Sequence, residues 1–339
     1  MADPDVFVVG GGPAGLAVAI AARRKGWSVV VADGNRPPID KACGEGLLPD
    51  SRRAAARIGI HLPDSLGFEF RGIRFHGAGR SVEADFPGGA RGIGIRRIRL
   101  HEKLVETAEQ AGVELRWGAP VTGMEDIRAR WIIGADGARS RVRRWAALDG
   151  CVRNSHRFSY RRHYAIAPWT DYVEVHWGEG CQIYVTPVAA GEVCLALISR
   201  TQELRLDDAL PRFFPALHER VEGVPEASRE RGAVTATMRL RSVARGNVAL
   251  VGDASGSVDA ISGDGLCLSF KQAALLTDAM AQGDMERYDR QHPGLAVKPN
   301  LMTKTMLVLD RGPAIRRWAF EALTAQPWVF RALLAIHVA

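Results

Sequence analysis

Val6-Phe7-Val8-Val9-Gly10-Gly11-Gly12-Pro13-Ala14-Gly15 is the stretch that decides the fold. Its apolar run has the length of a buried parallel strand and ends in glycines. Residues 14–25 hold helix formers, and residues 28–32 form a second β-branched run. The three pieces make a βαβ unit. Between strand and helix the glycines stand as G-x-G-x-x-G. Gly10 permits the tight turn, Gly12 lets a pyrophosphate approach the backbone, and Gly15 lets the helix pack on the strand. Pro13 and Ala14 open a helix whose N-terminal N–H groups and dipole favour phosphate. An acid is expected about twenty positions on, to accept ribose hydroxyls, and Asp33 stands there. The unit therefore predicts a dinucleotide ligand, without choosing between FAD and NAD.

Outward from this unit, residues 66–86 alternate in the two-residue rhythm of strands. A helix is expected over 100–111, a strand over 113–117 and a buried strand over 130–134. From 155 to 200 the pattern becomes antiparallel, with strands over 172–177, 182–187 and 193–198. Residues 247–251 return to a parallel core strand, and helices dominate from 265 to 339. No repeat or low-complexity tract interrupts the chain.

Two later segments choose the cofactor. Trp131-Ile132-Ile133-Gly134-Ala135-Asp136-Gly137 resembles the "DG" motif of FAD-dependent group A monooxygenases and their relatives, the geranylgeranyl reductases. Gly246-Asn247-Val248-Ala249-Leu250-Val251-Gly252-Asp253 resembles their "GD" motif. The resemblance implies an α/β fold: a Rossmann-like FAD-binding domain of the glutathione-reductase type, an inserted antiparallel substrate sheet and C-terminal helices. It implies that FAD touches Asp136 and Gly252, and that Asp253 hydrogen-bonds the ribityl chain. Gly263-Asp264-Gly265-Leu266 would bring a helix N-terminus to the flavin's pyrimidine edge. Arg97 matches an arginine that contacts the pyrophosphate, with a solvated basic helix start as the alternative for it and still more for Arg96 and Arg99. Val121 matches a position whose backbone meets the adenine. The FAD-binding domain would comprise residues 1–66, 91–150 and 241–285, the substrate sheet 67–90 and 151–240, and the terminal helices 286–339.

The family divides into hydroxylases, ene reductases and halogenases. Halogenases carry Trp-x-Trp-x-Ile-Pro, of which residues 182–187 keep only Pro187. Hydroxylases usually read GDAAH with a following proline, whereas this chain reads Gly252-Asp253-Ala254-Ser255-Gly256. Lys41-Ala42-Cys43-Gly44-Glu45-Gly46 resembles the Cys-Gly loop near the flavin of geranylgeranyl reductases. Cys43 and Gly44 thus become candidates for flavin contact and catalysis, with packing the plainer role for Cys43. Glu45 could relay protons, although a solvated carboxylate is the simpler expectation. Tyr184 is a third catalytic candidate and, with His163 and Tyr164, a candidate to line a pocket for a lipophilic or aromatic small molecule. Because hydroxylases outnumber reductases on this fold, hydroxylation in secondary metabolism ranks first and ene reduction second. Both begin with NAD(P)H as a transient reductant. A flavoprotein acting on a protein partner is the remaining alternative.

Composition bounds the rest. Five scattered cysteines, Cys43, Cys151, Cys181, Cys194 and Cys267, lack metal-ligand spacing and predict reduced thiols with no metal. The start enters directly into a strand, so no leader is expected and the location predicted is cytoplasmic. No apolar run spans a bilayer, although the apolar end from 327 to 339 could touch a lipid surface. The net charge of +7 is carried by dispersed arginines, with no motif that would indicate nucleic acid.

Overall fold

Valines and isoleucines buried on both faces suit a parallel strand covered by helices. In a computed structural model describing residues 3–339, β1 (Val6–Val9) occupies such an inner position. It pairs in parallel with β2 (Val29–Asp33) on one side and β9 (Trp131–Gly134) on the other. β8 (Glu114–Trp117) and β16 (Val248–Leu250) extend the parallel set, and β15 (Ala244–Arg245) closes one edge antiparallel. α1 (Pro13–Arg23) is buried from Pro13 to Ala22, because α3 (Arg97–Gln110) and α7 (Gly265–Ala281) pack against it. α2 (Pro49–Arg57) and α8 (Met285–Leu295) also lean on α7, and α4 (Arg141–Trp145) follows β9.

A second sheet of seven strands runs in the order β14 (Arg231–Leu240), β10 (Cys151–Tyr164), β13 (Glu192–Ser199), β12 (Cys181–Ala189), β11 (Tyr172–Trp177), β5 (Gly72–Gly77), β6 (Arg80–Asp85). The expectation of a wholly antiparallel sheet is corrected at one joint. β11 pairs with β5 in parallel, Tyr172 opposite Gly72 through His176 opposite His76. β5 reaches this place from an earlier part of the chain rather than through a hairpin, so nothing forces the antiparallel sense. A small sheet of β3 (Gly46–Leu47), β7 (Gly92–Gly94) and β4 (Phe68–Phe70) lies against β12.

Alternation divides the faces of the large sheet. Tyr164, Ile183, Val185, Val193 and Leu195 point to a core shared with α5 (Leu206–Phe213) and α6 (Pro215–Val221). Phe75, Val82, Val173, Val175 and Trp177 form another core with α9 (Val297–Leu309), α10 (Pro313–Ala325) and α11 (Pro327–Val338). No helix among the described residues is long and apolar enough to cross a membrane.

Candidate active site

The crevice at the carboxyl ends of the parallel strands collects the motif residues. Gly10 follows β1 with a φ of 112°, and a Cβ there would stand 2.4 Å from the carbonyl oxygen of Ala135. A Cβ on Gly15 would stand 1.9 Å from the oxygen of Gly10. Gly12, by contrast, has no atom within 4 Å of the place a Cβ would take. No side chain caps the N-terminus of α1, which starts at Pro13 and Ala14. Asp33, at the end of β2, accepts the Gly11 N–H through Oδ2 at 2.8 Å and the Asn35 N–H through Oδ1 at 2.7 Å. The loop is braced from below by a residue the motif reading missed. His101 of α3 is fully buried and meets the Gly11 oxygen through Nε2 at 2.8 Å. Burial holds its pKa below the usual imidazole value, and a carbonyl only accepts, so Nε2 carries the proton. Trp117 of β8 closes the other side of Gly11.

The later motifs converge on the same crevice. Asp136 uses Oδ2 to accept the N–H groups of Arg141 and Val142 at the start of α4, at 2.6 and 3.2 Å, while its Oδ1 is buried without a partner. Gly252 sits at a φ of 59° and donates its N–H to Gln272 Oε1 at 2.6 Å. Gln272 Nε2 lies 3.1 Å from His292 Nε2, which also meets Ser255 Oγ at 3.0 Å. Burial lowers the His292 pKa to about 4, so the ring is neutral and accepts from Gln272. Asp253 is partly exposed and pairs with Lys41 at 2.8 Å. Gly263, at a φ of 72°, and Gly265, the first residue of α7, both have open space where a Cβ would stand. Leu266 is half-buried against the core under α1, and Val121 packs beside Val9, Ile132 and Val142.

The Cys43–Gly46 loop joins the two sheets. Gly44 accepts the Thr186 hydroxyl at 2.7 Å, and Cys43 Sγ accepts the Glu45 N–H at 3.3 Å. Burial pushes the Cys43 thiol up, away from the thiolate that redox chemistry needs. Glu45 corrects the expectation of a solvated carboxylate: it is only 2% exposed, at a φ of 60° that few side chains tolerate. Its Oε2 lies 2.6 Å from His163 Nε2, and its Oε1 accepts the Arg97 N–H at 2.9 Å. Arg161 Nε stands 3.6 Å from Oε1. His163 Nδ1 meets Ser228 Oγ at 2.7 Å, Arg161 at 3.1 Å and Arg96 at 3.3 Å. Guanidinium groups only donate, so Nδ1 accepts and the proton sits on Nε2, facing Glu45. This cluster opens on a cavity of about 220 Å³ lined by Asp40, Glu45, Arg96, Arg161, His163 and Ser228, among others.

Arg96 is likewise not the solvated arginine expected, because it is half-buried and ion-paired with Glu192 at 3.0 Å. Arg99 is exposed, as expected. Arg97 is 7% exposed, with Nη1 buried and without a partner. Tyr164, one residue beyond His163, points to the opposite face and lies in the core with α5 and α6 instead of a pocket. Tyr184 faces the other way and donates its hydroxyl to the Ile261 oxygen, just before Gly263. Burial pushes its phenol up, so it stays protonated. Donor groups that linear spacing hides come together at Glu45, His163 and Cys194, and again at His76, Glu174 and His176. Cys181, Cys194 and Cys267 are buried free thiols, and the Cys151 side chain lies outside those described.

A glycine loop open only at Gly12, an uncapped helix start and an orphaned buried guanidinium fit a pyrophosphate. Residues 80–284 match the model of an FAD binding domain family, and residues 5–53 match a second FAD binding domain model. The first match spans more than half of the chain, which belongs to this family of FAD-dependent oxidoreductases. Menaquinone reductase of Mycobacterium tuberculosis is 27% identical over 325 residues, covering 84% of this chain and 78% of that protein. Digeranylgeranylglycerophospholipid reductase 1 of Methanococcoides burtonii is 25% identical, covering 86% of this chain and 79% of that protein. The flavin-dependent brominase Bmp2 has the same fold, with a TM-score of 0.83 at 16% identity over 100% of this chain and 94% of its own.

Proposed function

We propose that this FAD-dependent oxidoreductase is an ene reductase, saturating a C=C bond of a lipophilic, isoprenoid-like small molecule with NAD(P)H as reductant. The observation that carries the reading is the Glu45–His163–Ser228 chain, buried at Glu45 and His163 and half-buried at Ser228. FAD would be held by Gly10, Gly12 and Gly15, by Asp33, Arg97, Asp136 and Asp253, and by the start of α7; when bound and reduced it supplies hydride chemistry. Saturation also needs a proton at the second carbon. Ser228 lines the polar cavity, His163 carries its proton on Nε2, and Glu45 accepts there at 2.6 Å, so the three form a route from cavity to loop. Arg161 and Arg96 hold the imidazole in that tautomer by donating to Nδ1. The loop itself carries Cys43 and Gly44, the pair resembling the reductases. Curated relatives named as reductases, aligned over most of this chain, add support.

Hydroxylation, placed first because hydroxylases outnumber reductases on this fold, becomes the second reading and keeps the support of motifs common to both branches. The two are separated by incubating the holoenzyme with NADPH or NADH and either menaquinone or a geranylgeranyl lipid, with and without oxygen. The proposal expects a product heavier by two hydrogens that forms equally well under argon. A product carrying an oxygen atom from dioxygen, and absent under argon, refutes it. In the reductase, Glu45→Gln is expected to slow product formation and alter its pH profile while leaving FAD bound.

A further inference from the structure

Eight large apolar side chains stand exposed among the described residues, and six of them, Val297, Leu301, Ile315, Trp318, Trp328 and Ile336, lie on α9–α11. Their spacing is helical. Val297 and Leu301 are four apart, Ile315 and Trp318 three apart, and Trp328 and Ile336 flank the exposed Ala332 at intervals of four. The opposite faces are already occupied: Met306, Leu309, Phe320, Phe330 and Leu334 pack into the core against the large sheet. Each helix is therefore apolar on two sides, and only one has a partner. Single exposed apolar residues need no explanation, but a concentration of this kind marks an interaction surface.

Charge identifies the partner. Residues 296–339 hold six basic side chains, Lys298, Lys304, Arg311, Arg316, Arg317 and Arg331, against Asp310 and Glu321. The last 44 residues thus carry +4 of the chain's +7. Asp310 is buried and paired with Arg157, which leaves Glu321 as the exposed acid of this segment. Lys304, Arg311, Arg317 and Arg331 are exposed and make no ion pair within the described residues.

We infer that α9–α11 dock the protein on an anionic lipid bilayer, lying in its interface without crossing it. Exposed tryptophans sit at the level of lipid headgroups, where an amphipathic ring is wet at one end. Lysine and arginine bury their stems beside apolar neighbours while their charges meet phosphate. The cores of protein interfaces are depleted in lysine, so this mixture suits a membrane better than a protein partner. The inference stands on this surface alone and is independent of which reaction the flavin site performs.

The test is flotation of the holoenzyme with vesicles of phosphatidylcholine alone, or of phosphatidylcholine mixed with phosphatidylglycerol, at low and high salt. The protein is expected to float with the phosphatidylglycerol vesicles and to be released by salt. Trp318→Ala with Trp328→Ala, and separately Lys304→Glu with Arg317→Glu, should each weaken vesicle binding at least about tenfold. Both double variants should keep the wild-type melting temperature and FAD content. Failure of the wild type to float, or wild-type binding by both variants, overturns the inference. So does light scattering that shows a dimer which the tryptophan variant dissociates, because the surface would then join two copies of the chain.

Discussion

Alanine at Gly12 and alanine at Gly15 should separate the folding role of the glycine loop from its binding role. At Gly15 the new Cβ would lie 1.9 Å from the Gly10 oxygen and 3.2 Å from the Ala135 Cβ. The obstacle is backbone, so α1 or the loop must shift by about 1 Å or more, at a cost of about 1–3 kcal/mol. At Gly12 the Cβ meets nothing within 4 Å, and the φ of −74° and ψ of 178° suit any residue. Restricting the unfolded chain there should even add about 0.4–1 kcal/mol of stability. A methyl group in the path of a pyrophosphate, however, should weaken FAD by tenfold or more, about 1.4 kcal/mol. The assay is thermal melting of the deflavinated proteins beside FAD titration by fluorescence quenching. Gly15→Ala should melt lower without FAD, whereas Gly12→Ala should melt at or above wild type and bind FAD poorly. Wild-type FAD affinity in Gly12→Ala would refute the reasoning, because the open space above Gly12 would not be where the phosphates lie.

The other predictions use the buried polar groups. Glu45 and His163 are 0% and 1% exposed at the side chain, so Glu45→Ala and His163→Ala should each cost about 3–5 kcal/mol. The double variant should cost about 2 kcal/mol less than their sum in denaturation of the holoenzyme, and additivity within about 0.5 kcal/mol would dismiss the pair. His292, held at about 4 against an ordinary 6.5, is neutral when folded and binds a proton more readily when unfolded. Its contribution is therefore complete above pH 6.5 and is lost as pH falls from there towards 4. Melting temperature and FAD retention should decline across that window, and His292→Gln should flatten the decline. Because burial raises the Cys43 thiol, iodoacetamide at neutral pH should label it slowly, and Cys43→Ser should keep wild-type flavin reduction. Rapid selective labelling would show a thiolate the structure does not support.

Much of the frame was legible because it rests on local chemistry. The βαβ unit, the glycine spacing and Asp33 are properties of thirty consecutive residues, and β11, β12 and β13 fall within one or two residues of the strands read from alternation. The short helices α5 and α6 and the strands β3 and β7 of the small sheet were not read, since each is too brief to show a period. The site was legible as far as motifs reach. Glu45 was misjudged because a lone acid among glycines looks solvated, while its partner His163 lies 118 residues away. His163 and Tyr164 were both candidates for the pocket although neighbours on a strand face opposite ways, and only the packing of α5 and α6 says which side is filled. His101 showed no motif at all: its role depends on α3 passing beneath the Gly11 carbonyl.

The parallel joint between β11 and β5 bears on how specificity in this fold is exchanged. The large sheet is written in two separate passages of the chain, β5 and β6 before α3 and the other five strands after α4. A chimaera that transplants only the later passage would ask a foreign β11 to align with the resident β5, residue against residue from Gly72 to His76. Side chains on that seam, among them Tyr172, Glu174 and His176, would have to match an edge they did not evolve beside. Reprogramming the substrate side of this protein therefore requires moving both passages together, or leaving the seam untouched and changing only the strands beyond it.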